Sequence, residues 1–364
     1  MNCIFLWENF GPMHVDRCNA VAKSGLKTLG LELYGTSNTY DWIPEQGDLF
    51  QKITLFKNNK PTGFKLIKAL LSFRLKIGKA AWFLCHYERK EIFIFACFLR
   101  LLGDKVFTMG CSKFDDWERD SIKEASKRIF FKPYQGAIGS GIRSKDFFRF
   151  HGIPKDKVAT EYNTVSIDRL LELSKTLPAP EGKPFSDRYF IIVARLVPKK
   201  NLHMAIDAYS QYLLMDKNPR QLYICGSGIL EDELKDKVQK LKLENKIIFT
   251  GFIQTQAISQ KLGESLALIL PSKEEQFGNV VIEAQALGLP VFLSDVCGAR
   301  DKLVRTAVNG FIYEQDNPFG LAWFMSLLSQ DQALWEKMCE EAKKSARKGD
   351  VQAFADGVAY LLKS

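Results

Sequence analysis

Residues 266–294 read LALILPSKEEQFGNVVIEAQALGLPVFLS, and the way this stretch folds decides the architecture. Leu266 to Leu270 is an unbroken apolar run, the pattern of a strand covered on both faces, and Pro271-Ser272 ends it. A loop follows, and Asn279 stands where it can cap a helix reaching about Leu287. Gly288 and Pro290 close that helix before Val291-Phe292-Leu293 resumes as a strand. Strand, loop, helix and strand make one step of a parallel sheet with helices packed on it.

The amides at the start of this helix, around Gly278 to Val281, point out of its N-terminus and favour an anion such as a phosphate. Glu275 on the loop and Glu283 one turn inside the helix flank that position. Carboxylates beside a phosphate repel it unless they accept hydrogen bonds from hydroxyl groups, which sugars supply. Taken singly, Glu275 also reads as part of the solvated run Lys273-Glu274-Glu275, and Glu283 as an ordinary helical glutamate.

Outward from this stretch, the same rhythm fills the chain. Apolar segments at 189–195, 222–225, 246–251, 291–294 and 311–313 alternate with helical ones in the second half, as do 3–7, 29–34, 53–56, 81–87, 105–109, 136–139 and 158–162 in the first. At 364 residues the chain can bury two cores. Residues 176–188, TLPAPEGKPFSDR, with three prolines and a glycine, read as the linker between domains 1–175 and 176–349. The segment 318–364 is helical, with breaks near Ser329 and Gly349.

Composition narrows the function. The net charge of +9 lies in residues 1–175, with 28 Lys and Arg against 19 Asp and Glu, while residues 176–364 are neutral at 23 of each. The asymmetry suggests an anionic partner on one domain only: nucleic acid, a membrane surface or a phosphorylated acceptor. The eight cysteines and four histidines are scattered without metal or nucleophile spacing. The longest apolar run, Ile92 to Leu99, is too short to span a bilayer, and the N-terminus carries no basic leader, so a cytoplasmic location is expected.

Several strand ends in the second half carry groups suited to an anion. Arg195 and Lys200 share one loop, where a guanidinium and an ammonium together can neutralise a diphosphate; alone, the loop also reads as a solvated basic turn. Gly226-Ser227-Gly228 allows close backbone approach, though it is equally a tight turn. Phe252 after the next strand can wall a base.

In order and spacing, Arg195 with Lys200, Gly226-Ser227-Gly228, Pro271-Ser272, Glu275 with Glu283, and Asn309-Gly310-Phe311 resemble the retaining glycosyltransferases of family four. The resemblance covers most of residues 189–330 and implies the α/β GT-B fold. That fold has two facing Rossmann-like doubly wound domains, and its final helix, here 350–364, crosses back to the first. It further implies that Arg195 and Lys200 bind a donor pyrophosphate, Glu275 holds sugar hydroxyls and Glu283 the ribose. The donor site would be completed by Gly11, Gly226, Phe252, Phe277, Gly278, Asn279 and Val280. No metal or other cofactor is implied, in keeping with the absence of an Asp-x-Asp signature; Asp115-Asp116 reads as the start of a helix.

The first half departs from the family pattern. Its first loop, Glu8 to His14, has one glycine, Gly11, and Thr108-Met109-Gly110 has no histidine where many members carry one. In residues 63–79, Lys65, Lys68, Lys76 and Lys79 share a helical arc of about 80° opposite Leu66, Leu70, Phe73 and Ile77. That arc is either a solvated surface or a contact with an anionic membrane on the acceptor side. No nucleic-acid motif accompanies it. The expected partners are a nucleotide-sugar and a glycan or lipid-linked acceptor in surface polysaccharide synthesis. The alternative is a GT-B-like protein that binds a nucleotide-sugar without transferring it, and a nicotinamide oxidoreductase ranks last.

Overall fold

The computed structural model describes residues 2–35, 47–116 and 119–363. The chain forms two compact units, Met1–Ser166 with Val351–Ser364, and Ile167–Asp350. The first unit runs β1 (Asn2–Trp7), α1 (Pro12–Lys23), β2 (Thr28–Tyr34), β3 (Gln51–Phe56), α2 (Gly63–Ile77), β4 (Ala80–Leu84) and α3 (Lys90–Leu101). It continues through β5 (Lys105–Met109), α4 (Ser121–Phe131), β6 (Gly136–Ile138), α5 (Ile142–Phe150) and β7 (Val158–Ala159). The second holds α6 (Ile167–Ser174), β8 (Tyr189–Val193), α7 (Leu202–Met215), β9 (Leu222–Cys225), α8 (Glu231–Lys240), β10 (Ile247–Gly251) and α9 (Thr255–Gly263). Then come β11 (Ser265–Leu270), α10 (Val280–Ala286), β12 (Val291–Ser294), α11 (Arg300–Leu303), β13 (Gly310–Tyr313), α12 (Pro318–Gln330) and α13 (Gln332–Ala346). The last helix, α14 (Val351–Lys363), belongs to the first unit.

Each unit has one sheet, ordered β3-β2-β1-β4-β5-β6-β7 and β10-β9-β8-β11-β12-β13. The paired strands are parallel. Both are doubly wound: the chain lays strands to one side of β1 or β8, then returns to start the other side with β4 or β11. Ligands of such sheets bind at the carboxyl ends of the strands where the order reverses.

Strand periodicity explains the layering. On β1, Ile4 and Leu6 join Leu66 and Leu70 of α2 and Ile92 and Phe95 of α3 in one apolar cluster. Cys3, Phe5 and Trp7 point to the other face, against Val15 and Cys18 of α1 and Phe354 and Val358 of α14. Burial on both faces is why the strands read as continuous apolar runs. β11 is buried at every position.

Three local expectations change. The expected linker 176–188 lies within the second unit, whose boundary falls earlier, at Ser166/Ile167. The reason is packing: Ala179 donates its amide to the Leu287 carbonyl at 2.9 Å. The buried Arg188 guanidinium also donates to the carbonyls of Lys183, Gly263 and Ser265 at 2.8, 3.0 and 2.9 Å. Asp115-Asp116 lies in a separate 3-10 turn, because both carboxylates are drawn to Lys113, at 3.1 and 3.6 Å from its Nζ. α4 begins later, capped by the Asp120 side chain, which accepts from the Lys123 amide. Asn279 does precede α10, but with helical φ and ψ of −57° and −30° and no side-chain capping bond.

Candidate active site

The turning point of the second sheet lies between β8 and β11. After β8 the chain makes a 3-10 turn at Pro198–Lys200 and leaves it through Asn201, held in the left-handed region at φ 54°. The Asn201 side-chain amide donates to the Gln315 carbonyl at 2.8 Å, which fixes the entry to α7. The loop after β9 supports this one, since the amide of Leu196 donates to the Ser227 carbonyl at 2.8 Å. Gly226 has a φ of 140°, and a Cβ there would fall 1.9 Å from the Ala194 carbonyl oxygen, so the backbones meet only because a glycine separates them.

The loop after β11 docks onto the same turn. Lys273 and Glu274 donate their amides to the Lys199 carbonyl at 2.8 and 3.4 Å. This brings the Lys200 ammonium into a direct hydrogen bond with Glu275 Oε2, both side chains being largely screened from water. The Ser272 hydroxyl donates to the same oxygen at 3.2 Å, and the Ser272 carbonyl accepts from the Ser294 hydroxyl at 2.6 Å. The Glu275 carboxylate is thus aimed from two sides, which an exposed ion pair would not achieve. Gly278, at φ 97°, turns the loop back into α10, and a Cβ there would meet Leu270 Cδ2 at 2.8 Å.

The other expected residues distribute as follows. Arg195 is exposed on the loop that carries Lys200, and Glu283 is half-buried on the first turn of α10. The half-buried Val280 and Asn279 stand at the start of that helix. The amide of Val281 is already used, donating to the Gly278 carbonyl at 3.0 Å, so it does not face an anion as the sequence suggested. Phe277 is 2% exposed and belongs to the core, where its side chain offers a donor no wall. Phe252, after β10, is exposed, next to Gly251, whose carbonyl accepts from the Gly226 amide at 2.9 Å. Ser272 and Ser294 had no role assigned from sequence: Ser272 stood in the Pro271-Ser272 pair of the resemblance without one, and Ser294 was only a small polar residue at a strand end.

In the first unit, Gly11 caps α1 and is buried, and its amide donates to His14 Nδ1 at 3.0 Å. Burial and the nearby Arg17 hold the His14 imidazole well below its usual range, so it is neutral, and an accepting Nδ1 puts its proton on Nε2. The resemblance implied that Gly11 approaches the donor phosphate; in this structure its amide is engaged by His14. His86 follows β4, two residues past Leu84, which pairs with Thr108 of β5. His86 takes the left-handed φ of 62°, with Nδ1 3.7 Å from Glu88 Oε1. Lys65, Lys68 and Lys76 are exposed while Leu66, Leu70 and Phe73 are buried and Ile77 partly so, as the helical wheel required. Lys79 is exposed too but lies off the expected arc, because α2 ends at Ile77 and Gly78, at φ 81°, turns the chain out of the helix.

Among the described residues, no three His, Cys, Asp or Glu side chains gather as a metal site would. No described helix is long and apolar enough to cross a membrane.

The architecture is that of known proteins. Anabaena HepE, solved in complex with UDP, superposes with a TM-score of 0.75 at 18% identity over the whole of both chains. An uncharacterized glycosyltransferase of Methanocaldococcus jannaschii is 28% identical over 196 residues, 52% of this chain and 50% of its own. The N-acetylgalactosamine-N,N'-diacetylbacillosaminyl-diphospho-undecaprenol 4-alpha-N-acetylgalactosaminyltransferase of Campylobacter jejuni is 27% identical over 219 residues, 60% of this chain and 57% of its own. The chain thus spans about half the length of the curated relatives it matches. The model of the group 1 glycosyl transferases matches residues 174–349, which include Lys200, Glu275 and Glu283. The fold is GT-B, and the likeness to the glycosyl transferases group 1 family lies in residues 174–349.

Proposed function

We propose that this chain is a retaining glycosyltransferase that moves a sugar from a nucleotide diphosphate donor to a hydroxyl of a glycan acceptor carried on a lipid. The observation that carries the reading is the Lys200 to Glu275 bond where the strand order of the second sheet reverses. On donor binding, Lys200 and Arg195 take up the charge of the diphosphate, and Glu275, released from Lys200, accepts hydrogen bonds from hydroxyls of the transferred sugar. Glu283 accepts from the ribose, and Phe252 lies against the base. The bond from the anomeric carbon to the diphosphate oxygen breaks, and the bond to the acceptor oxygen forms on the same face. The acceptor proton leaves on the departing diphosphate. Charge stabilisation by fixed cations of this kind is the largest single contribution in many enzymes.

The lipid-linked acceptor is supported by the Campylobacter relative, whose name specifies a diphospho-undecaprenol substrate. Turnover without a divalent cation follows from the two cations in one loop. The test is release of UDP from a panel of UDP-sugars, with and without EDTA, and NMR of the product anomer. An inverted product, or activity abolished by EDTA and restored by magnesium, would refute those two parts separately. A second reading, a protein that binds the donor without transferring the sugar, is favoured by the engaged Gly11 amide and by Gly110. It predicts donor binding with no UDP released even in the presence of acceptor.

A further inference from the structure

α2 and α3 lie side by side and run in the same direction. The Gly63 amide at the start of α2 donates to Glu91 Oε1 on the first turn of α3 at 2.7 Å. At the other end, Arg74 Nε donates to Asp104 Oδ2 at 2.6 Å just past α3. Their inner faces fill the core, so the outer faces form one continuous surface of the first unit. Two features meet there. Residues 57–103 hold ten Lys and Arg against two Asp and Glu; Arg74 is spent on Asp104, but Lys65, Lys68, Lys76, Lys79 and Lys90 are exposed. Large apolar side chains also project among the lysines: Phe64 is 79% exposed, Leu75 73% and Leu101 81%, with Phe98 beside them at 41%.

On α2, at 100° per residue, Phe64 and Leu75 fall at one edge of the arc of Lys65, Lys68 and Lys76. The only acid of the two helices, Glu91, is engaged by the Gly63 amide and largely covered. A single exposed leucine is ordinary, but apolar side chains on adjacent helices inside a field of one sign describe a surface built for a partner.

We infer that the outer face of α2 and α3 docks on an anionic phospholipid bilayer. The charge argues for this occupant over the others. A second copy would set the exposed lysines of this face against the same lysines across an isologous contact. A nucleic acid would satisfy the lysines but leave Phe64, Leu75 and Leu101 in water. A bilayer meets both demands: lipid phosphates pair with the lysines, and the acyl boundary takes the apolar side chains. The inference stands apart from the donor site, and its test reads no chemistry, so either can fail without the other.

The experiment is co-sedimentation of the full chain with vesicles of phosphatidylcholine alone or with phosphatidylglycerol, at low and high salt. Binding is expected only to the anionic vesicles. Joint replacement of Lys65, Lys68, Lys76 and Lys79 by serine should lower partitioning by roughly 10² to 10³. Joint Phe64→Ser and Leu75→Ser should remove the part of the binding that survives high salt, about tenfold or more. All six residues are exposed, and an unchanged melting temperature verifies the fold of each variant. Equal binding to neutral vesicles, or variants that partition like the native chain, would overturn the inference. So would a dimer in sedimentation velocity, or a tight complex with single-stranded RNA, abolished by the same substitutions without any vesicle binding.

Discussion

The ammonium of Lys200 donates to Glu275 Oε2, joining two loops that leave neighbouring strands of the second sheet. In the absence of ligand each group therefore neutralises the other, and neither is left as an isolated, partly desolvated charge. Under the proposed function, a diphosphate that drew Lys200 away would free the carboxylate for sugar hydroxyls, and binding of the two halves of a donor would be coupled through one contact.

Removing the cation should cost both charge stabilisation and the positioning of Glu275. Lys200→Ala or Arg195→Ala is expected to lower kcat about 10² to 10³, the loss seen for one preorganised donor at a developing charge. Steady-state assays of UDP release measure this. Turnover at the native level in both variants would exclude a role for the loop.

Glu283 lies on the first turn of α10, and under the proposed function its loss should act on the nucleotide rather than on the reacting sugar. Glu283→Ala is expected to weaken UDP binding by about tenfold to a hundredfold, the range for a hydrogen bond to a charged group, with kcat little changed. Calorimetric titration with UDP measures it. Unchanged affinity would remove the ribose assignment.

Gly226→Ala tests how the loop after β9 carries the one holding Arg195. The new Cβ would sit 1.9 Å from the Ala194 oxygen at a φ of 140°, so the backbone has to move. A loss of about 1–3 kcal/mol in stability is expected, with weaker UDP binding. Gly25→Ala is the control: its φ of 85° is also positive, but nothing lies within 4 Å, so the cost is only about 1 kcal/mol and UDP binding is untouched.

Acid should destabilise the first unit through His151. Burial, opposed by Glu124 and aided by Lys127 and Arg119, pushes this imidazole from 6.5 to about 4. Its ring stacks on Phe131, with centroids 4.8 Å apart. A histidine whose folded pKa is depressed binds fewer protons folded than unfolded between those two values. Its contribution is therefore intact above about pH 6.5 and is lost as pH falls towards 4, by roughly 1–2 kcal/mol at pH 5. The buried His14 acts with the same sign. Chemical denaturation of the native chain and of His151→Phe at pH 7 and pH 5 isolates the share of His151. Equal pH dependence in the two would refute it.

Much of this was legible beforehand because it is local. Burial on both faces writes each strand as an apolar run, and a loop at each strand's carboxyl end writes its polar residues in order, so thirteen strands and the loop of Lys200 could be placed from sequence. Phe277 could not: whether an aromatic beside a glycine faces ligand or core depends on what packs behind the loop. Nor could the unit boundary, because prolines mark a turn but do not say which core the turn is strapped to.

By itself the sequence determined the alternating α/β class, the basic first half and the set of candidate groups on the strand ends, since periodicity and charge are properties of neighbouring residues. Only the tertiary structure decided that β11 lies against β8, and with it that Lys200 and Glu275, 75 positions apart, share a hydrogen bond. Strand order is chosen by how whole helices cover the two faces of a sheet, and no local run of residues encodes that choice.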